Sequence, residues 1–204
     1  MKKVYYICAI VLLVALFSYF FIDKSLALFF KYDFTELDRI FNYITKLGKS
    51  EFYLIVSFLL FASFYKKNSF IKRASLLIFS SIAVSGIITN LIKPIVARYR
   101  PKALFEDGLF GFSGFDIGYI VNSFPSGHSA TSFSLFISLS LLFPKYRYIF
   151  YILAFLVAFS RVVITAHYLS DTIVGSLIGA LCAIYFYKKF FAKNCVVYGD
   201  NSCR

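Results

Sequence analysis

The chain has 204 residues, of which 60% are hydrophobic and only 16% are charged, and its formal net charge is +12. Soluble domains of this length mix apolar and charged residues more evenly, so the composition excludes an ordinary soluble domain. The cations flank apolar runs instead of forming a basic stripe, which excludes a nucleic-acid-binding protein. We therefore expect a single integral membrane domain over residues 1–204, surrounded by membrane lipids and with no nucleic acid partner.

Six apolar runs, separated by charged clusters, predict an all-α bundle of six transmembrane helices. The runs cover residues 4–22, 52–65, 74–92, 127–143, 148–165 and 172–187. A bilayer core requires about 20 apolar residues per helix, so the short second run is expected to recruit its neighbours. The first run is too long for a signal peptide and no small-residue cleavage site follows it, which indicates a membrane anchor.

Between the first two runs, apolar residues recur at helical spacing. They are Phe34, Leu37, Ile40, Phe41, Ile44 and Leu47, and Asp33 and Glu36 are placed like a capping pair. The pattern predicts a short amphipathic helix that lies at the membrane interface. A role in gating the substrate is a second interpretation of the same segment.

Positive charge is distributed unequally between the two ends of the predicted bundle. One side holds 12 of the 22 cations and one acid, a net charge of +11, whereas the other side has a net charge of +1. The positive-inside rule then places both termini in the cytoplasm. Residues 23–51, 93–124 and 166–171 are expected to face outward from the cytoplasmic (inner) membrane, on its periplasmic or extracellular side.

The four cysteines do not indicate a metal site or a disulfide. Cys8 and Cys182 lie in apolar runs, and Cys195 and Cys203 lie in the predicted cytoplasmic tail. Their spacing matches no metal-ligand pattern, and a cytoplasmic tail is a reducing environment. We interpret all four as structural residues.

Three outward-facing clusters carry the polar residues that favour chemistry. In the first, Lys93, Arg98 and Arg100 follow the third apolar run, with Pro94 and Pro101 among them. Cations at a membrane exit commonly only anchor lipid head groups. The prolines fix the backbone and favour a built loop over a loose basic edge.

The second cluster, from Pro125 to Ser129, opens the fourth apolar run. Pro125, Ser126 and Gly127 are typical of a helix N-terminus, where free backbone N–H groups and the helix dipole favour an anion. His128 then lies in the first helical turn, beside any bound phosphate. A simple capping turn with a solvated histidine is the alternative interpretation.

The third cluster contains Arg161, His167 and Asp171. An arginine within an apolar run costs roughly 2.5–3.5 kcal/mol to insert, so an anionic partner is expected. His167 and Asp171 are four residues apart, so the carboxylate can hold one ring nitrogen and leave the other free. A purely structural histidine–aspartate bond is equally compatible with that pair alone. Cations, an anion cradle and two imidazoles together indicate phosphoryl transfer.

The three clusters resemble the signature of the type 2 phosphatidic acid phosphatase (PAP2) superfamily, which includes bacterial membrane lipid phosphatases. The signature is Lys, six residues, Arg-Pro; then Pro-Ser-Gly-His; then Ser-Arg, five residues, His, three residues, Asp. The matching residues are Lys93, Arg100, Pro101, Pro125, Ser126, Gly127, His128, Ser160, Arg161, His167 and Asp171. Each fragment alone is weak, whereas the ordered set is highly specific.

This resemblance implies roles for the matched residues. His167 would attack phosphorus and form a phosphohistidine, Asp171 would orient its imidazole, and His128 would protonate the leaving oxygen and later activate water. The phosphoryl oxygens would be bound by Lys93, Arg100, Ser126, Gly127 and Arg161. Arg98 lies outside the signature, and we expect it only to reinforce the positive field.

The resemblance and the topology also imply the substrate class. We expect a membrane lipid phosphatase that removes the terminal phosphate of phosphatidate, phosphatidylglycerophosphate or undecaprenyl pyrophosphate. A lipid A phosphatase is the alternative, and a lipid-phosphate transporter is a third hypothesis, disfavoured because the broken-helix pairs of transporters are missing. No ligand set for a two-metal phosphatase is present in the sequence, so neither a metal nor another cofactor is expected. The sequence does not indicate an oligomeric state.

Residues 102–123 form a loop with two open interpretations. Phe105, Phe110, Phe112, Phe115 and Tyr119 stand among glycines in this loop. The aromatic rings would either lie on the membrane interface and admit a lipid sideways, or pack as a lid without touching the substrate.

Overall fold

A computed structural model describes residues 2–32 and 38–192 of the chain. These residues are predominantly helical, and in them the only β pairing is an isolated bridge between Arg98 and Phe112. The α-helices are α1 (Lys2–Phe21), α2 (Asp23–Tyr32), α3 (Asp38–Ile44), α4 (Ser50–Phe64), α5 (Ser69–Val96), α6 (Pro101–Asp107), α7 (Gly127–Leu142), α8 (Arg147–Val163) and α9 (Leu169–Tyr187). Shorter 3-10 helices cover Thr45–Gly48, Tyr119–Val121 and Pro144–Tyr146, and a π-helical turn covers Lys188–Ala192. The predicted all-α fold is confirmed.

Five segments in the described residues are long and apolar enough to cross a membrane. They are Val4–Phe21, Arg39–Phe64, Ser69–Val96, Pro144–Val163 and Leu169–Phe191. The chain is therefore an integral membrane protein, as predicted. The expected fourth span folds as α7, but its 16 residues reach only about 24 Å at 1.5 Å per residue. Because a bilayer core is about 30 Å thick, the predicted count of six spans is not confirmed.

Two helices begin earlier than the apolar runs predict. The side chain of Asn68 caps α5 by accepting hydrogen bonds from the N–H groups of Phe70 and Ile71, at 2.9 and 3.0 Å. The helix therefore includes Lys72 and Arg73, which hydropathy alone assigns to a loop. Helix α9 begins at Leu169, so Asp171 belongs to its first turn.

The segment between α1 and α4 contains two helices. The unpredicted α2 begins at Asp23, immediately after α1. The predicted amphipathic helix corresponds to α3 and the Thr45–Gly48 turn, whereas its first part, with Asp33, Phe34, Glu36 and Leu37, lies outside the described residues. The ring of Phe41 in α3 packs against Phe159 of α8, with 6.0 Å between ring centroids. Location at a membrane interface stays a prediction.

Helix α7 occupies the centre of the bundle, and its close contact with α9 positions the site. A Cβ added to Gly175 would overlap the carbonyl oxygen of Ser126, and one added to Gly179 would overlap that of Ala130. This small-residue spacing in α9 lets the two backbones touch, as in other membrane helix pairs. The Ser134 hydroxyl joins α7 to α5, lying 2.8 Å from the Ser85 hydroxyl.

The apolar core lies beside this polar centre. Buried Ile82, Leu135, Phe136, Ala154 and Val157 form a cluster contributed by α5, α7 and α8. Cys8 and Cys182 are free thiols, and Cys195 and Cys203 lie outside the described residues.

Candidate active site

The residues of the three sequence clusters meet at one end of the bundle. Lys93 is in the last turn of α5, Arg100 precedes α6, His128 is in the first turn of α7, and Arg161 is near the end of α8. His167 lies in the loop before α9. His128 is within electrostatic range of Arg161, His167 and Lys93, so residues 74 positions apart in the chain form one site.

The N-terminus of α7 is tied to that of α9. The backbone N–H of Ser126 donates to the carbonyl oxygen of Asp171 at 3.0 Å. The Ser126 hydroxyl caps α7 by accepting from the backbone N–H of Ser129 at 3.4 Å, and it also accepts from the hydroxyl of Ser129 at 2.9 Å. Gly127 faces Lys93, because a Cβ added at Gly127 would lie 3.9 Å from the lysine Nζ. The first N–H groups of this helix and the ammonium of Lys93 are thus adjacent, as an anion site requires.

The imidazole of His167 is held by a backbone carbonyl. Its Nδ1 is 2.7 Å from the carbonyl oxygen of Ser123, and the side chain is only 3% exposed. A carbonyl oxygen can only accept, so Nδ1 carries the proton and Nε2 keeps a free lone pair. Burial, helped by the positive charges of Arg100 and Arg161 and opposed by Asp171, lowers the pKa of His167 to about 3. At neutral pH the ring is therefore uncharged.

Asp171 does not hydrogen-bond to His167 in the way the four-residue spacing predicts. Its Oδ2 is 3.8 Å from Nδ1, which is too long for a hydrogen bond. That oxygen accepts instead from the Ser123 hydroxyl at 2.6 Å and from the Tyr168 N–H at 2.9 Å. Ser123 therefore bridges the pair, with its carbonyl on His167 and its hydroxyl on Asp171. The carboxylate remains close enough to stabilise positive charge on the ring.

Arg98 and Asp23 form a buried ion network that the sequence interpretation missed. Arg98, 1% exposed, donates from Nη2 to Asp23 at 2.7 Å and from Nη1 to Asp171. Its guanidinium also stacks over the ring of Tyr168, 4.4 Å from the centroid. Burial opposes the charge, but the two carboxylates outweigh it and raise the pKa of Arg98 above its ordinary value. The expectation that Arg98 only adds positive field is wrong, because both its charge and its ring contacts are used inside the protein.

Asp23 is joined to the start of α9 as well as to Arg98. The backbone N–H of Ser170 donates to Asp23 at 3.1 Å, and the hydroxyl of Ser18 donates at 2.8 Å. The sequence signal for this network is weak. It consists of the first acid after a long apolar run and an arginine two residues before the signature Arg100.

The signature arginines have no such partners. Arg100 donates to three backbone carbonyls, those of Tyr119, Ala166 and Asn122, at 2.9–3.1 Å. Arg161 donates from Nη1 to the hydroxyl of Thr45 at 2.6 Å, and its buried Nε has no hydrogen-bond partner. Within the described part of the chain, neither arginine forms an ion pair with a carboxylate, in contrast to Arg98. Burial lowers the pKa of Arg100, and Tyr119 and Asp171 only partly oppose this.

The loop over the site is partly packed and partly exposed. Phe110 and Phe112 stack on Tyr19 of α1, at 5.4 Å between centroids, whereas Phe115 and Tyr119 are more than 70% exposed. The loop is thus divided into a part that packs on α1 and an exposed part, and both interpretations of its role stay predictions. A cavity of about 500 Å³ opens beside Arg100; it is lined by the cations Lys31, Arg100 and Lys102, by the aromatic rings Tyr32, Phe105 and Tyr119, and by Glu106, Ile164, Thr165 and Ala166.

Over residues 2–32 and 38–192, no group of three or more His, Cys, Asp or Glu side chains is arranged to hold a metal ion. The catalytic candidates in this region are instead the two histidines and the cations around them.

The sequence of the chain is similar to that of a known protein family and of characterised relatives. Residues 74–195 match the model of the PAP2 superfamily. The chain is 40% identical over 113 residues to a lipid A 1-phosphatase of Rhizobium johnstonii, covering 53% of this chain and 46% of that protein. It is 35% identical over 148 residues to a lipid A 1-phosphatase of Rhizobium etli, covering 67% of this chain and 64% of that protein. The chain thus spans less than two thirds of the length of either relative.

The fold is also similar to a crystal structure of a PAP2-type phosphatidylglycerolphosphate phosphatase from Bacillus subtilis. The TM-score is 0.66 at 22% identity, covering 95% of this chain and 98% of that one. At this identity the likeness concerns the fold alone. The family match covers more than half of the chain and includes every signature residue from Lys93 to Asp171, so this protein belongs to the PAP2 superfamily.

Proposed function

We propose that the protein is a metal-independent phosphatase that hydrolyses the terminal phosphate of a membrane lipid through a phosphohistidine. The observation that carries this proposal is the hydrogen bond from His167 Nδ1 to the Ser123 carbonyl. It leaves Nε2 unprotonated in a site where Arg100 and Arg161 have no carboxylate partner among the described residues. An unprotonated ring nitrogen beside cations without a carboxylate partner is suited to attack a phosphate ester.

In the first step Nε2 of His167 forms a bond to phosphorus while the bond from phosphorus to the ester oxygen breaks. The imidazole becomes positively charged, because Nδ1 keeps its proton on the Ser123 carbonyl. The Asp171 carboxylate, 3.8 Å from Nδ1, stabilises that charge. Its role is thus electrostatic, and the orientation of the ring comes from Ser123.

His128 supplies and removes the protons. Its protonated ring, favoured by the negative phosphate, donates a proton to the leaving oxygen. The neutral ring then takes a proton from water, which attacks phosphorus and breaks the P–N bond to release phosphate. Lys93, Arg100 and Arg161 bind the phosphoryl oxygens, with the Ser126 hydroxyl and the Gly127 N–H completing the cradle.

The substrate follows from the membrane setting. The site lies at the ends of apolar helices, where a lipid head group would reside. Phosphatidate, phosphatidylglycerophosphate and undecaprenyl pyrophosphate all present a terminal phosphate at that depth. Both termini are placed in the cytoplasm and the site on the periplasmic or extracellular face of the cytoplasmic membrane, because the predicted loops differ so strongly in charge.

A lipid A phosphatase is the second candidate function, and two observations favour it. The two similar proteins from Rhizobium johnstonii and Rhizobium etli are lipid A 1-phosphatases. The cavity beside Arg100, with Lys31 and Lys102 in its lining, has room for polar groups beyond a single phosphate. A large glycolipid head group uses such space, whereas a small head group leaves it to water.

The deciding experiment measures phosphate release from purified lipids in detergent. The panel contains phosphatidate, phosphatidylglycerophosphate, undecaprenyl pyrophosphate and lipid A, each compared between wild type and His167→Ala. We expect release from at least one lipid by the wild type and none by His167→Ala, with equal thermal unfolding midpoints. Near-normal turnover by the folded variant would contradict the histidine mechanism, and the preferred lipid decides between the two candidate functions.

Sidedness is tested separately by thiol labelling. After replacement of the native cysteines, Lys102→Cys and Ser113→Cys are expected to react with an impermeant reagent in intact cells. The control position on the predicted cytoplasmic side is Lys67, which is exposed in the turn before α5. The neighbouring Asn68 is avoided, because its side chain caps that helix. Lys67→Cys is expected to react only after permeabilisation. The reverse pattern would move the site to the cytoplasmic face and leave the histidine chemistry unaffected.

A further inference from the structure

The turn Thr45–Gly48, between α3 and α4, is packed directly against the candidate site. Thr45 and Gly48 are buried, whereas Lys46 and Leu47 between them are exposed. The turn is anchored to α4, since the Tyr53 hydroxyl donates to the Leu47 carbonyl at 2.9 Å. Ile44, immediately before the turn, packs on the apolar core of the bundle. The turn is therefore held in place against the site by these contacts.

Thr45 contacts one of the proposed phosphate ligands. Arg161 Nη1 donates to the Thr45 hydroxyl at 2.6 Å, across 116 residues of sequence. The same arginine has a buried Nε with no hydrogen-bond partner and no carboxylate within ion-pair distance in the described structure. A buried N–H without a partner costs free energy unless a ligand or water accepts from it. The threonine fixes one edge of the guanidinium while other donors remain available to phosphate.

Gly48 contacts the proposed acid. A Cβ added at Gly48 would lie 3.0 Å from both Cβ and Cδ2 of His128 and 2.9 Å from Cγ1 of Val157. Those separations are tighter than ordinary carbon contacts, so an alanine here must displace Val157, the imidazole or the turn. With glycine, the backbone of the turn lies against one side of the imidazole and restricts its rotation.

We propose that Thr45 and Gly48 are positioning residues of the phosphatase site, Thr45 for the phosphate ligand Arg161 and Gly48 for the acid His128. This inference rests on the proposed function, because it takes the roles of Arg161 and His128 from that mechanism. It assigns the outward segment before α4 to the active site, whereas the sequence signature contains no residue before Lys93. Thr45 and Gly48 act through other side chains and need not touch the substrate.

The test of Thr45 compares a variant that lacks the hydroxyl with one that keeps it. Thr45→Val keeps the shape and removes the acceptor, whereas Thr45→Ser keeps the hydroxyl. Loss of a charge-assisted hydrogen bond corresponds to about a tenfold effect, so Thr45→Val should weaken vanadate binding and lower kcat/KM by about that factor. Thr45→Ser should retain wild-type values. Vanadate affinity is measured by calorimetry on the full-length protein in detergent, so this arm does not depend on turnover.

The test of Gly48 compares two glycine-to-alanine changes. Gly48→Ala should lower kcat by about tenfold or more, a part of the contribution that general acid catalysis makes. Vanadate affinity should change much less, because the phosphate ligands are not displaced. Gly86→Ala in α5 is the control, since a Cβ there meets no atom within 4 Å and lies outside the site. Equal unfolding midpoints identify the variants that can be compared.

Each result separates this inference from the proposed function. If wild type releases no phosphate from any lipid, the proposed function fails, and the vanadate affinities of the two Thr45 variants still decide whether Thr45 positions an anion site. If wild type turns over, the inference is overturned when Thr45→Val binds vanadate like wild type or Thr45→Ser is as impaired as Thr45→Val. It is also overturned for Gly48 when Gly48→Ala keeps the kcat of Gly86→Ala.

Discussion

Arg98 is buried and Arg161 is half-buried at the same end of the bundle, and the two arginines have opposite surroundings. Arg98 lies between the carboxylates of Asp23 and Asp171 and stacks over the ring of Tyr168. Arg161 has one neutral acceptor, the Thr45 hydroxyl, and a buried Nε without a partner. Arg100, only two residues after Arg98, resembles Arg161 in bonding to neutral oxygens.

The difference indicates a structural role for Arg98 and supports the phosphate-binding role proposed for Arg100 and Arg161. A buried cation paired with buried anions is complete within the protein, and removing it leaves those anions uncompensated. A buried cation that has only neutral acceptors retains the capacity to bind an anion from outside. The pKa of Arg98 is raised by its carboxylates and that of Arg100 is lowered by burial, which agrees with this division.

The largest expected effect is on stability, from Arg98→Gln. Two buried carboxylates would lose their shared cation, and breaking a buried pair in this way costs about 3–5 kcal/mol. We expect that loss in a denaturant titration of the protein in detergent, together with reduced activity because Asp171 loses its ionic partner and keeps only its contacts with Ser123 and Tyr168. Arg147→Gln, at an exposed arginine, is the control and should be near wild type. A stable and active Arg98→Gln would contradict the structural role.

Arg161→Gln should show the reverse profile. It removes one hydrogen bond and strands no carboxylate, so the free energy of unfolding should fall by only about 1 kcal/mol. Phosphate binding should weaken strongly, with kcat/KM and vanadate affinity reduced by about tenfold to a hundredfold, the value of a charged hydrogen bond. The comparison of the two regions breaks down if Arg161→Gln destabilises the protein as much as Arg98→Gln.

Asp23→Asn tests how far the buried network extends into catalysis. Arg98 keeps the carboxylate of Asp171, and asparagine still presents an oxygen to Ser18 or Ser170, so the expected loss of stability is about 1–2 kcal/mol. Activity should stay close to wild type, because the Ser123 contacts to His167 and Asp171 are untouched. Loss of turnover without loss of stability would assign Asp23 a direct role that the structure does not indicate.

The smallest expected effect is that of chelation. In the proposed mechanism Lys93, Arg100 and Arg161 supply positive charge for the phosphate, which is the role of the ions in two-metal phosphatases. Activity in EDTA should therefore equal activity without it, while vanadate should inhibit at a similar concentration in both. Activity that disappears on chelation and returns with one divalent ion would show that these cations are not sufficient.

Much of the fold and of the candidate site follows from local sequence patterns. Apolar runs predict helices wherever a bilayer or a bundle core surrounds them, and the signature predicts which residues gather at the site. Two differences from the sequence prediction arise where a cap or a length decides. Asn68 extends α5 over Lys72 and Arg73, and the fourth run ends as the 16-residue α7.

By itself the sequence determined the membrane setting, the helical class and the identity of His128, His167 and Asp171 as one signature, because these depend on composition and spacing along the chain. Only the tertiary structure decided that Ser123 holds the ring of His167, that Arg98 reaches Asp23 across 75 residues, and that Thr45 meets Arg161. Such contacts depend on how closely two backbones approach. Near Ser123 and His167 that approach is set by the packing of α9 on α7 at Gly175 and Gly179, and spacing within one helix does not encode which distant residue will face it.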